Sequence, residues 1–256
     1  MAILKVKNSP LAQAFLMGVA LCLPLPAAAE EFVTPKGVVE LFTSQGCRSC
    51  PPADRAFETM VRQGDVVALS YHVDYWNYLG WADTLAKSEN TKRQYAYAKA
   101  FGRSGVYTPQ AVVNGIDHLK GTDAGEINSR MEKLSAGGRG LVVPVKANRQ
   151  NDQLSISIGK GTGKAEVVVV YFRQRQTVEM MKGENVGQKL DYWHSVTDLQ
   201  TVGMWDGSPL DITLPAKVMG SDDSDGCAIL LQSVDEEGNP AAIMGAAMLV
   251  PKSAEL

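Results

Sequence analysis

Cysteine is scarce in this chain of 256 residues: there are four, and one of them, Cys22, lies in a leader-like segment. That scarcity excludes a small disulfide-stapled scaffold, which uses several bridges in place of a large core. Histidine is scarcer still; the three present are His72, His118 and His194, far apart in sequence. No familiar zinc spacing joins them to the cysteines. An excess of positive charge is also missing, with 25 Lys and Arg against 28 Asp and Glu. Such a balance gives no basis for binding nucleic acid or an anionic membrane. After the first thirty residues no stretch is apolar for the roughly 20 residues that a membrane span requires. A short acidic run, Asp222-Asp223-Ser224-Asp225, lacks the later ligands of an EF-hand and reads as a solvated turn.

The first thirty residues read as an export signal. Lys5 and Lys7 form a positive start, an apolar run extends from Ala14 to Leu23, and Ala27-Ala28-Ala29 offers the small residues a signal peptidase reads. The apolar run is too short for a membrane anchor, and Leu21 before Cys22 suits a lipoprotein signal poorly. Cleavage after Ala29 removes two lysines and Cys22, leaving 23 basic against 28 acidic residues, a formal charge of -5. Cys47, Cys50 and Cys227 remain. The implied location is periplasmic or secreted, where a disulfide persists, with no membrane attachment after cleavage.

Val38 to Phe42 is a continuous apolar run and reads as a buried strand. Pro51 to Gln63 reads as a helix with its prolines in the tolerated first turn. Val66 to Tyr71 is a second strand, so the three form a βαβ unit with parallel strands. A loop rich in aromatics, Asp74 to Trp81, precedes a helix capped by Asp83 or Thr84 and ending at Phe101, with Gly102 as its stop. Val106 to Val113, the Asn114-Gly115 turn and Asp117 to Lys120 predict a hairpin. Asp123 with Glu126 fits a capping box for a last helix to about Leu134. Gly137-Gly138-Arg139-Gly140 marks a boundary. Beyond it the pattern predicts strands at 154–158, 166–172, 211–214, 228–234 and 243–250 with little helix, hence a β-sandwich.

The chemistry is concentrated in Cys47-Arg48-Ser49-Cys50. Two cysteines at this spacing, between a strand and a helix of a βαβ unit, form a recognised redox arrangement. The tightening turn brings the sulfurs within bonding reach. The helix N-terminus and Arg48 favour a thiolate on Cys47, making it the nucleophile and Cys50 the resolving thiol. Pro51 pushes Cys50 toward an extended or capping conformation. Thr108-Pro109 is the second element: a cis peptide there would press against the disulfide and leave backbone groups to pair with a substrate strand.

These features resemble the thioredoxin superfamily. Glu40 to Cys47, Ser49 to Asp54, His72 to Trp76 and Tyr107 to Gln110 are similar to a family of secreted bacterial thioredoxin-like proteins of unknown function. Gly183-Glu184-Asn185 and Leu231-Gln232 extend the likeness over nearly all of the mature chain. The resemblance implies an α/β thioredoxin-like N-terminal domain (30–139), after the signal peptide (1–29), followed by an all-β sandwich-like C-terminal domain (140–256). It supplies no substrate. No tryptophan precedes Cys47, and Arg48-Ser49 replaces Gly-Pro, so the direction of electron flow stays open.

The function expected is thus an exported thiol–disulfide oxidoreductase. Cys47 and Cys50 would be catalytic, and Thr108 and Pro109 substrate-binding. It would need no metal or organic cofactor. Its partners would be a protein or small thiol or disulfide substrate and a redox protein. Two other readings stand beside it: a binding module for a metal or peptide, and an inert structural disulfide. His72 is a proton shuttle, a ligand, or a residue hydrogen-bonded in place. Tyr75, Trp76, Tyr78 and Trp81 are expected mainly to anchor their loop. Cys227 reads as a buried thiol. Trp193 and Trp205 are expected to fill the second core.

Overall fold

A computed structural model describes Ala2 and residues 35–150, 153–215 and 224–250. The expected signal peptide and Asp222-Asp223 lie outside the described residues. Strand β1 (Val38–Thr43) is buried at all six positions, as an apolar run without alternation requires when both faces are covered. Helix α1 (Pro51–Gln63) starts with its prolines in the first turn and ends at Gly64, whose φ is 70°; only glycine takes that cap conformation freely. Strand β2 (Val67–His72) lies parallel to β1, from Val38↔Val67 to Thr43↔His72. Helix α2 (Ser88–Ala100), strands β3 (Gln110–Val113) and β4 (Asp117–Leu119), and helix α3 (Ala124–Ala136) follow. Asn114, Gly115 and Ile116 join β3 to β4; Asn114 and Gly115 have φ of 49° and 69°, the left-handed backbone that Asn and Gly adopt most readily in a hairpin turn. Asp123 caps α3 by accepting from the N–H groups of Gly125 and Glu126.

The rest of the described chain is strand: β5 (Val145–Gln150), β6 (Gln153–Ile158), β7 (Ala165–Glu179), β8 (Lys189–Trp205), β9 (Leu210–Pro215), β10 (Gly226–Val234) and β11 (Pro240–Leu249). Eight strands form one mixed sheet in the order β11-β10-β7-β8-β2-β1-β3-β4, and β5-β6-β9 form a second. Strand β8 is the junction. It runs antiparallel to β7 over nearly its whole length and parallel to β2 at Ser70↔Ser195.

This topology overturns the expected fold class. The protein is mostly β, and its principal sheet passes without interruption from the first half of the chain into the second. A thioredoxin-like α/β domain followed by a separate sandwich does not describe it. The physical reason is that β2 would be left with an open edge, and β8 covers that edge. The sequence Lys189–Trp205 shows no clean alternation, because five consecutive residues, Tyr192–Val196, are buried and those that follow are mostly half-buried, so it is not recognisable as a strand.

The sheet also curls back on itself. The N–H of Ile243 in β11 donates to the carbonyl of Asn114 in the β3–β4 turn at 2.9 Å. A Cβ on Gly115 would lie 2.1 Å from the carbonyl oxygen of Ala241, so only glycine fits there. One apolar core lies between the sheet and α2, a second beneath α1 and α3, and a third between β7, β10, β11 and the three-stranded sheet. Trp205 occupies the third core as expected, whereas Trp193 packs in the core beneath α1. Arg62 and Arg175 lie over the Trp193 ring at 4.8 and 5.2 Å. Among the described residues no helix is long and apolar enough to cross a membrane.

Candidate redox site

Cys47 and Cys50 are joined by a disulfide in the turn between β1 and α1. The N–H groups of Ala53 and Asp54 donate to the Cys50 carbonyl at 2.8 and 3.1 Å. Those bonds draw Cys50 into the helix: it is the N-cap, yet its φ of -78° and ψ of -36° are helical rather than extended. Cys50 is fully buried and Cys47 is 2% exposed, while Arg48 and Ser49 between them are exposed.

The Thr108–Pro109 peptide is cis. The Ser49 hydroxyl donates to the Thr108 carbonyl at 3.4 Å and lies 3.4 Å from Cys47 Sγ. The four expected site residues thus gather at one end of the sheet. The aromatic loop closes over them. Trp76 packs on Gly46 and donates its indole N–H to Thr108 Oγ1 at 2.7 Å. Tyr78 stacks on Trp76 and is 76% exposed. Trp81 donates to Gln45 Oε1 at 2.8 Å. Most of the loop is therefore packing, as expected, and Tyr78 is the exception.

Asp83 and Thr84 do not cap α2, which begins at Ser88 after Lys87. They are bonded elsewhere. Asp83 Oδ2 accepts from the N–H of Gln45 at 2.8 Å and Asp83 Oδ1 from that of Leu85; Thr84 bonds the Gln45 amide. A residue from far along the chain completes the turn. Asn185, in the loop between β7 and β8, donates to the carbonyls of Gln45 and Cys47 at 2.9 and 3.0 Å.

Beneath the disulfide lies a buried polar cluster. Asp54 sits one helical turn after Cys50, and its Oδ1 accepts from the Thr43 hydroxyl at 2.7 Å. His72 Nδ1 lies 2.8 Å from Asp83 Oδ2. Tyr192 of β8 meets His72 edge to face, with ring centroids 4.7 Å apart. Asp54 Oδ2, His72 Nε2 and the Tyr192 hydroxyl have no hydrogen-bond partner among the described residues. Buried polar atoms are nearly always bonded; these are three of the eight buried side-chain atoms without a partner among the described residues. Burial pushes the Asp54 carboxyl up to about 7, against the pull of the Thr43 bond and of His72. Asp83 behaves oppositely. Burial works to raise it, but the charge of His72, the bond to His72 and the N–H groups of Gln45 and Leu85 together hold it below the usual range.

The remaining candidates lie elsewhere. His118 bonds the Tyr107 hydroxyl at 2.8 Å. His194, which has a positive φ of 45°, bonds the Ala68 carbonyl, and burial lowers it to about 4. Cys227 is buried in the third core. The sequence offers Asp83 only as a helix cap and gives Asp54, Tyr192 and Gln45 no role of their own. One signal for Asp54 was present: it falls at helical spacing with Phe57 and Val61, within the apolar stripe of α1.

The profile of a family described as "Protein of unknown function (DUF1223)" matches residues 38–232. No curated protein matches the chain. A crystal structure of a structural-genomics target from Agrobacterium tumefaciens is 55% identical, with a TM-score of 0.80 over 89% of this chain and 99% of that one. HBP35 of Porphyromonas gingivalis is 14% identical, with a TM-score of 0.59 over 88% of this chain and 79% of that one, a likeness of fold alone.

Proposed function

The chain belongs to the DUF1223 family, whose function is not known, and we propose that it is an exported thiol–disulfide oxidoreductase acting on protein or small thiol substrates through Cys47 and Cys50. The observation that carries this reading is the Cys47–Cys50 disulfide at a helix start, linked through Ser49 to the Thr108–cis-Pro109 segment. Locally the arrangement resembles the site of the thioredoxin superfamily, although the sheet around it is different. A substrate thiolate attacks Cys47 Sγ, the Cys47–Cys50 bond breaks, and its electron pair leaves on Cys50. A second substrate thiolate then attacks the substrate sulfur of the mixed disulfide and releases Cys47 as a thiolate. The substrate is oxidised by two electrons and the pair reduced by two; the reverse sequence reduces a substrate disulfide and reoxidises the pair.

An inert crosslink is the weaker reading, because a loop this short restrains the unfolded chain little. The export signal and an oxidising compartment belong to the same proposal, as does a redox partner protein that resets the pair.

The reduction potential tests it. The mature protein is equilibrated in dithiol and glutathione buffers, quenched by alkylation and weighed. A value near about -120 mV marks an oxidant and one near about -270 mV a reductant. A pair still oxidised below about -300 mV is structural and ends the proposal.

A further inference from the structure

Two more of the eight buried polar atoms without a partner among the described residues are Gln176 Oε1 of β7 and Ser195 Oγ of β8. Both residues line one cavity of about 140 Å³. Ser195 is only 3% exposed. A buried hydroxyl and a buried amide oxygen without partners are costly unless something else bonds them.

Strand pairing brings the lining together. Arg173 of β7 lies opposite Ser195 of β8, and Ser195 is also the residue at which β8 pairs with Ser70 of β2. The loop before α2 closes the other side. Its Lys87 N–H donates to the His72 carbonyl at 3.2 Å, and the Lys87 ammonium donates to the Thr197 carbonyl. That contact uses one of the three donors an ammonium carries. Thr84 and Lys87 are exposed, so the cavity reaches solvent along this loop.

The lining is positive. Lys87 and Arg173 contribute to it and no carboxylate does. Asp83 and Asp198, the acids next to the lining in sequence, are bonded elsewhere: Asp83 to His72 and the N–H groups of Gln45 and Leu85, Asp198 to the N–H of Leu199 and the Gln200 amide. Leu85 and Val196 supply an apolar part of the wall.

We propose that this cavity binds a short hydroxycarboxylate. A cavity of about 150 Å³ admits a molecule the size of benzene, so the ligand has about six non-hydrogen atoms. Its carboxylate accepts from Lys87, Arg173 and the Ser195 hydroxyl. Its hydroxyl donates to Gln176 Oε1, and its carbon chain covers Leu85 and Val196. An inorganic oxyanion would meet the cations but leave the apolar wall uncovered. An amino acid would bring a donor for Gln176 but would add a third positive charge where no carboxylate balances it. The site does not depend on the redox reading, although it adjoins the disulfide turn: in the same wall, the Thr84 N–H donates to Gln45 Oε1 at 3.1 Å and the Thr84 hydroxyl accepts from Gln45 Nε2 at 3.0 Å.

Calorimetric titration of the oxidised protein at about pH 7 tests the proposal. The probes are sodium D- and L-lactate, sodium propionate, lactamide, alanine and sodium sulfate. One lactate enantiomer should bind at one site with a dissociation constant of about 1 mM or tighter. Propionate lacks the hydroxyl, lactamide lacks the charge and alanine adds one, so each should bind about tenfold or more weakly. Lys87→Met and Ser195→Ala should each weaken lactate about tenfold or more. Lys87 is exposed, so Lys87→Met decides should Ser195→Ala fail to fold. No saturable heat with either lactate up to about 10 mM overturns the proposal. So does lactate binding that survives both substitutions, which lies elsewhere. Sulfate or alanine bound more tightly than lactate also overturns it, by giving the cavity to an inorganic anion or an amino acid.

Discussion

Replacing Asp54 by Asn should make the protein more stable, and increasingly so as pH rises. The native carboxyl is buried and pushed up from 3.8 to about 7. Below about pH 4 it carries its proton in both the folded and the unfolded chain, so it imposes no penalty. Between about pH 4 and 7 the unfolded chain ionises while the folded chain keeps its proton. The folded state then binds more protons, and stability falls by about 1.4 kcal/mol per pH unit. Above about 7 both states are ionised and the penalty levels off near 4 kcal/mol. Asn fills the same space and can still accept from the Thr43 hydroxyl, but it cannot ionise. Urea unfolding of both oxidised proteins between about pH 4 and 8 measures the difference. The two should nearly coincide at the acid end and separate by about 4 kcal/mol at the alkaline end. Curves that stay parallel across the range would refute the reasoning, because they would mean that Asp54 titrates alike in both states.

Further outcomes follow from particular contacts. Asn185→Ala strips buried carbonyls at Gln45 and Cys47 of a donor, so it should cost about 2 kcal/mol or more in denaturant unfolding and speed reduction of the disulfide. Trp76→Ala opens the cover between Gly46 and Thr108, and reduction by dithiothreitol should accelerate; an unchanged rate would show that Trp76 does not gate Cys47. Gly115→Ala meets the Ala241 carbonyl at a φ of 69° and should lower stability by about 2 kcal/mol or more by thermal melting. His194 is held neutral to about 4 by burial, whereas an unfolded histidine protonates near 6.5. As pH falls from about 6.5 to 4 the unfolded chain therefore gains a proton that the folded chain refuses, and stability drops by about 3 kcal/mol. His194→Asn, which tolerates the positive φ, should remove that acid limb.

The first half of the chain was readable because its elements obey local rules. The β1 run, the prolines opening α1, the Asn114-Gly115 turn and the Asp123 cap each announce themselves in a few residues. The candidate site was readable for the same reason, since Cys47, Cys50 and Pro109 lie at the ends of such elements. What escaped depends on residues remote in sequence. Strand β8 is buried without alternation over Tyr192–Val196 and partly exposed beyond, so no single period marks it, and missing it divided one sheet into two expected domains. Asp83 looked like a helix cap, but the better use of its carboxylate lay with His72 and Gln45, which no local pattern reveals. Asp54 is the one acid in the first turn of α1, and no local pattern ties it to the groups around it. Its spacing with Phe57 and Val61 hints that it faces inward, but only the tertiary fold brings it within electrostatic reach of Tyr192, 138 residues further on.

The dependence of the site on β8 has a temporal side. A chain made from its N-terminus presents both cysteines early, yet the donor that holds the Cys47 carbonyl lies 138 residues later, and the strand that covers β2 follows it. Closure of the sheet waits longer still, for Ile243 to reach the Asn114 turn. Pairings of such long range form late, because much of the chain must be ordered before they are rewarded. The disulfide-bearing turn is therefore assembled from the chain's earliest and latest parts, and a polypeptide cut short before β8 would carry the cysteines without the surroundings that make them a site.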